Sequence, residues 1–171
     1  MTQRSAARFL GRLFVSALVL ASSASAETIT GKVVRILDGD TLVILDAANA
    51  QHKIRMIGID APEKKQAFGA YSKENLSGLV FGKTVIVESA KRDLYQRELG
   101  KILSDGKDVN LLQIESGLAW FYVQYEHDQT IADRKLYADA EAKAKIDKIG
   151  LWSGYQPVAP WVFRKQKPTT K

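Results

Sequence analysis

The chain has 171 residues, with 25 Lys and Arg against 19 Asp and Glu, two His and no Cys. Without cysteine there is no disulfide, thiol nucleophile, zinc-thiolate site or iron-sulfur cluster. The formal charge of +6 permits a polyanionic partner but is too dilute to specify one.

Residues 1–26 carry Arg4, Arg8 and Arg12, then the apolar run LFVSALVLA, then Ala24, Ser25 and Ala26, which is the three-part layout of a secretory signal peptide. The run is short for a bilayer span, and no later segment reads as one. The expectation is cleavage before Glu27 and an exported protein, periplasmic or extracellular, with no membrane attachment afterwards. Three of the 25 basic residues leave with the segment, so 22 face 19 acids and the charge falls to +3. The remaining 145 residues (171 less 26) suit one domain with its own core. Its expected extent is 27–155, followed by a basic tail at 156–171.

Residues 29–59 read as strand, turn, strand, turn, strand. ITGKVVRIL and TLVIL flank Asp38-Gly39-Asp40, and HKIRMIGI follows a polar link at 46–51, all rich in β-branched and aliphatic residues. Next, AFGAYSKENLSGLVFG places Leu76, Leu79 and Val80 on one helical face and closes on Gly82, a C-terminal cap. TVIVES predicts a fourth strand, and ELGKILSDG a fifth ending in an Asp105-Gly106 turn. Asp108 or Asn110 can cap the short helix VNLLQIESG. Thr130 with Asp133 resembles a capping box ahead of the helix IADRKLYADAEAKAKIDK, which stops at Gly150. Its lysines, Lys143, Lys145 and Lys148 among them, are expected on a solvated face. Trp120 is expected in the core, and one of Tyr122 and Tyr125 at a pocket. Trp161 is expected to pack the tail on the barrel, and the last few residues to be loose. Five short strands with a helix after the third and others after the fifth predict an α+β domain on a small OB-type barrel with about three helices.

If the second and third strands form a hairpin around 46–51, facing residues have numbers summing to about 97. Asp40 then faces Ile57, Asp38 faces Ile59, and Asp60 falls at the same edge with Glu63 close behind. Four gathered acids need a cation or arginines to offset their repulsion. Arg55 and Arg97 are the candidates. Arg55 and Asp60 differ by five, which in a regular strand puts them on opposite faces, so the chain must bend, and Gly58 is where it can. Alone, Asp-Gly-Asp is a hairpin turn, DAPE a strand-ending turn, and each arginine a surface residue. Their combination, in this order, makes a site. His52 and His127 fall outside it, and the twelfth position of an EF-hand loop from Asp38 would be Asn49 instead of Glu.

RILDGDTLVIL, IRMIGIDAPE, DLYQRELGKIL, DGKDVNLLQIESGLAW and the closing GLW together resemble the staphylococcal nuclease family, over residues 33–152. The resemblance implies a five-stranded OB-type barrel with three helices and calcium-dependent hydrolysis of phosphodiester bonds in DNA and RNA. It implies that Asp40 and Asp60 bind Ca2+ with the Thr41 carbonyl, that Asp38 lies in the outer shell, and that Glu63 activates water. It also implies that Arg55 and Arg97 hold the phosphate, and that Tyr95, with Tyr122 or Tyr125, lines the nucleotide pocket. Two positions depart from the pattern: Ala61 replaces threonine of the founding nuclease, and Gln96 replaces a usual glycine. If Gln96 needs left-handed backbone, it carries a steric cost. The rival readings are a noncatalytic OB-fold nucleic-acid-binding module and a structural calcium-binding or protein-interaction domain. A monomer is expected.

Overall fold

The computed structural model describes residues 27–154 and 156–166. The expected signal peptide and the end of the tail, 167–171, lie outside them. Strands β1 (Glu27–Ile36), β2 (Thr41–Leu45) and β3 (Gln51–Met56) form an antiparallel meander. β1 also pairs with β5 (Thr84–Arg92), and β5 with β6 (Glu98–Ser104), while the two-residue β4 (Ile59–Asp60) leaves the sheet. β6 then runs parallel beside β3, with Ile54 opposite Glu98 and Met56 opposite Gly100, so five strands close on themselves. The chain is therefore an α+β protein on a closed five-stranded barrel of OB type.

Alternation of side chains explains which face each strand buries. Val33, Leu42, Ile44, Ile54, Met56, Val85, Val87 and Ile102 fill the interior. Helix α1 (Gly69–Val80) adds Leu76 and Val80 to it, and the chain leaves α1 through Gly82 at φ 78°, as its capping role predicts. After the Asp105-Gly106 turn and the short β7 (Lys107–Asp108), Asp108 caps α2 (Val109–Glu115) by accepting the Leu111 N–H at 3.0 Å. Asn110 does a different job: its buried amide accepts the Ile102 N–H and donates to the Ile57 carbonyl. β8 (Trp120–Phe121) pairs with β4, which fastens the segment carrying Asp60. Thr130 caps α3 (Ile131–Ile146), but Asp133 turns to Lys101 instead of completing a capping box. The Tyr137 hydroxyl donates to Asp108 at 2.8 Å and pins α3 to α2.

The structure also corrects the hairpin register and the reading of the tail. The β2–β3 hairpin pairs Thr41 with Arg55 and Leu45 with Gln51, one residue away from the predicted register. The link is five residues, because Asp46 accepts the Ala48 and Ala50 N–H groups and Asn49 takes φ 62°, which frees Gln51 to join the strand. Asp40 therefore faces Met56, whose N–H reaches its carbonyl at 2.9 Å. The second correction is a fourth helix, α4 (Pro160–Gln166), in the segment expected to be tail. Pro160 suits a first helical position, and it and Ala159 are buried.

Candidate active site

The turn between β1 and β2 brings the first two acids together. Asp38 accepts the Asp40 N–H at 3.1 Å, and the Gln113 amide from α2 donates to the Gly39 carbonyl at 2.6 Å. A Cβ on Gly39 would collide with Ser72 Oγ and lie 2.8 Å from the Ala61 Cβ, so only glycine lets the turn sit this close to α1 and to the DAPE segment. Asp40 then reaches across: its Oδ2 accepts the Ala61 N–H at 2.6 Å. Its Oδ1 accepts from the Thr41 hydroxyl at 3.0 Å.

The bend expected after β3 is present, with Gly58 at φ 71°. It places Asp60 on the side of Arg55, which straps the turn. Arg55 Nη1 donates to the Met56 and Ile59 carbonyls at 2.9 and 3.0 Å and lies 3.1 Å from Asp40. Nη2 donates to Asp60 at 2.9 Å. One guanidinium thus spans both buried carboxylates. Burial, reinforced by the neighbouring Asp40, raises the Asp38 carboxyl to about 6. Burial raises Asp60 as well, although Arg164 and Arg55 oppose it.

The Asp38 shift has a definite sign. Its proton is favoured in the folded state, so its stabilising effect is complete below about pH 4 and disappears as pH rises through about 6. In chelator, Asp38→Asn is expected to flatten that part of the stability curve and to gain up to ~3 kcal/mol at pH 7, at about 1.36 kcal/mol per pKa unit. Denaturant unfolding of both proteins from pH 3.5 to 7.5 checks this; parallel curves would refute it.

Arg97 arrives on the loop before β6. Asp93 accepts the Tyr95 and Arg97 backbone N–H groups, and its Oδ2 pairs with Arg97 Nε and Nη2, both at 2.7 Å. The guanidinium carbon sits 5.5 Å from the Tyr95 ring centre. Gln96 does occupy left-handed backbone, at φ 59°. Gln96→Gly is expected to stabilise the protein by roughly 0.5–1 kcal/mol, the left-handed penalty less the entropy of glycine in the unfolded chain. A chemical-denaturation midpoint that stays put or falls would show that the turn carries no strain.

Every residue singled out for chemistry lines one cleft of about 860 Å3: Asp38, Asp40, Thr41, Arg55, Asp60, Glu63, Tyr95, Arg97, Tyr122 and Tyr125. Tyr122 is half-buried, while Tyr95 and Tyr125 are exposed. Trp120, expected in the core, is only half-buried, because it forms an aromatic cluster with Trp152 and Trp161 at centroid distances of 4.4 and 5.6 Å. Trp161 packs the C-terminal segment down, as expected. Arg164 of α4 was not legible as part of the site: Nη1 donates to Asp60 at 3.2 Å and Glu63 at 3.0 Å, and Nη2 to Asp60 at 2.8 Å. Burial opposes the charge on Arg164, but its bonds to Asp60 and Glu63 prevail and raise its pKa. The only sequence sign was Pro160 opening a turn that carries Arg164.

The donors are oxygens alone, which suits a hard divalent cation and disfavours zinc or copper. Among the described residues no three acidic or histidine side chains form a ready cage. Asp38 is turned to the backbone and Glu63 to Arg164. The Thr41 carbonyl already accepts the Leu37 and Asp38 N–H groups at 2.9 and 3.4 Å. Two buried carboxylates sharing one guanidinium fit a hard divalent cation such as calcium that completes its shell with water.

Residues 53–154 match the sequence profile of the staphylococcal nuclease homologue family. The chain is 43% identical over 140 residues to an "Uncharacterized endonuclease" of Escherichia coli, covering 81% of this chain and 87% of that protein. It is 41% identical over 146 residues to an "Uncharacterized endonuclease" of Haemophilus influenzae, covering 85% and 79%. A "Micrococcal nuclease" of Shigella flexneri is 34% identical over 165 residues, covering 90% and 91%. With the barrel, the acids and the arginines arranged as above, the chain belongs to the staphylococcal nuclease family.

Proposed function

We propose that this protein is a calcium-dependent nuclease that hydrolyses phosphodiester bonds of DNA and RNA with little sequence preference. The observation that carries the reading is the cleft itself, where Arg55 spans Asp40 and Asp60 while Glu63 and Arg97 line the same walls. The names of the relatives point the same way.

Asp40 and Asp60, with the Thr41 carbonyl and Asp38 behind them, would hold Ca2+, which supplies positive charge to the phosphate oxygens. Arg55 and Arg97 supply the rest. A guanidinium donates to two phosphate oxygens at once, and both are held before substrate arrives, Arg55 by backbone carbonyls and Arg97 by Asp93. Glu63, with a side chain 31% exposed, takes the proton of the attacking water as its oxygen bonds to phosphorus, the P–O ester bond breaks, and the departing ester oxygen takes a proton from solvent and leaves as the alcohol. Tyr95, Tyr122 and Tyr125 offer ring faces, which stack any base and explain low sequence preference. Export by residues 1–26 and a monomeric state complete the reading; N-terminal sequencing of the processed protein should begin at Glu27, and sedimentation should give one chain.

The test is degradation of heat-denatured DNA and of RNA by the mature protein with calcium and then with a chelator. Loss of substrate only in calcium is expected. A mobility shift without cleavage would replace the enzyme by a binding module.

A further inference from the structure

The cleft holds a part of the chain that the hydrolytic chemistry does not use. Helix α4 places Arg164 on Asp60 and Glu63, while Trp161, nearly one turn earlier, lies flat on Tyr122 with centroids 5.2 Å apart and planes 13° apart. One short helix thus covers both a carboxylate end and an aromatic face of the same cleft. Its approach is fixed by Gln66, which donates to the Val158 carbonyl at 2.5 Å.

Asp60 has about four lone-pair positions on its two oxygens. Oδ1 accepts from Arg55 and Arg164, and Oδ2 accepts from Arg164, so Arg164 holds two of the three positions in use. A divalent ion bound to Asp60 would lie against this guanidinium, cation to cation. Glu63 cannot turn fully to a water while it accepts the Arg164 N–H. The two arginines differ in how firmly they are held. Arg55 is also bonded to two backbone carbonyls and its side chain is 13% exposed, whereas the side chain of Arg164 is 40% exposed and its hydrogen bonds among the described residues all go to carboxylates. Arg164 is the one that can leave.

We propose that Arg164 is a tethered competitor for the divalent cation, and that α4 is a latch released when the ion binds. The inference rests on the calcium reading above. Release of one helix uncovers Asp60, Glu63 and the Tyr122 face together, so ion and nucleotide binding become coupled through it. The apparent ion affinity is then lowered by the fraction of molecules that are latched.

Calorimetric titration of CaCl2 into the chelator-stripped protein with its full C-terminus tests this. Arg164→Gln is expected to bind Ca2+ about 3- to 10-fold more tightly than the parent, and Arg164→Lys to fall between them. Trp161→Ala loosens the helix without altering its charge and should tighten binding as well. In the parent, tryptophan emission should change with the same midpoint as the heat signal, and that change should vanish in Trp161→Phe. Equal or weaker Ca2+ binding by folded Arg164→Gln and Trp161→Ala would overturn the latch and leave the calcium reading intact. No Ca2+ binding by any variant would overturn both.

Discussion

Arg55→Ala should remove at least ~3 kcal/mol of folding stability and reduce nuclease activity to near background. Burial makes the loss large: the side chains of Asp60 and Asp40 are 2% and 8% exposed. Removing their shared partner leaves buried charge uncompensated, a loss of about 3–5 kcal/mol in comparable pairs. The Met56 and Ile59 carbonyls lose a donor in the same stroke, and the bend that delivers Asp60 loses its strap. Arg164 on the far side of Asp60 offsets part of this, which argues for the lower end of the range. Arg55→Lys should recover little, because one ammonium cannot fork between two carboxylates and two carbonyls. Urea unfolding together with an assay run well below the unfolding midpoint separates the two losses. A variant within 1 kcal/mol of the parent would mean that Arg55 does not organise the site.

Glu63→Gln has the opposite profile, a large rate effect on a sound fold. The two side chains have the same shape, and the position is partly exposed, so stability should move by under about 1 kcal/mol. Loss of a positioned base should lower kcat by roughly 10²–10⁴-fold with KM little altered. If kcat falls less than tenfold, water is activated elsewhere. A collapse of calcium binding with the rate would instead place Glu63 among the ion's ligands.

The barrel was legible because strand alternation and turn chemistry are local signals. The Asp105-Gly106 turn, the Gly82 cap and the bend at Gly58 all stand where their sequence says. Register was less legible, since it depended on the conformation of one link, and Asp46 shortened that link by hydrogen-bonding its own backbone. The ten residues picked for chemistry do converge on one cleft, because adjacent segments carry most of them. What stayed hidden was non-local. Arg164 meets partners 101 and 104 positions away, in a stretch whose basic composition reads as solvated tail. Gln113 sits in a helix where glutamine usually faces water, yet it is fully buried and holds Gly39 in place. Neither side chain has a periodicity or spacing that would announce it.

The parallel seam between β3 and β6 has a consequence for how the protein comes into being. Arg55 stands opposite Leu99 in that seam, so its strand gains its second neighbour only after a long loop has closed. A nascent chain that has emerged only as far as α1 has the Asp-Gly-Asp turn and the DAPE segment but neither the second wall of the cleft nor Arg97. The two halves of the cleft therefore meet only after β6 has been made and has zipped against β3.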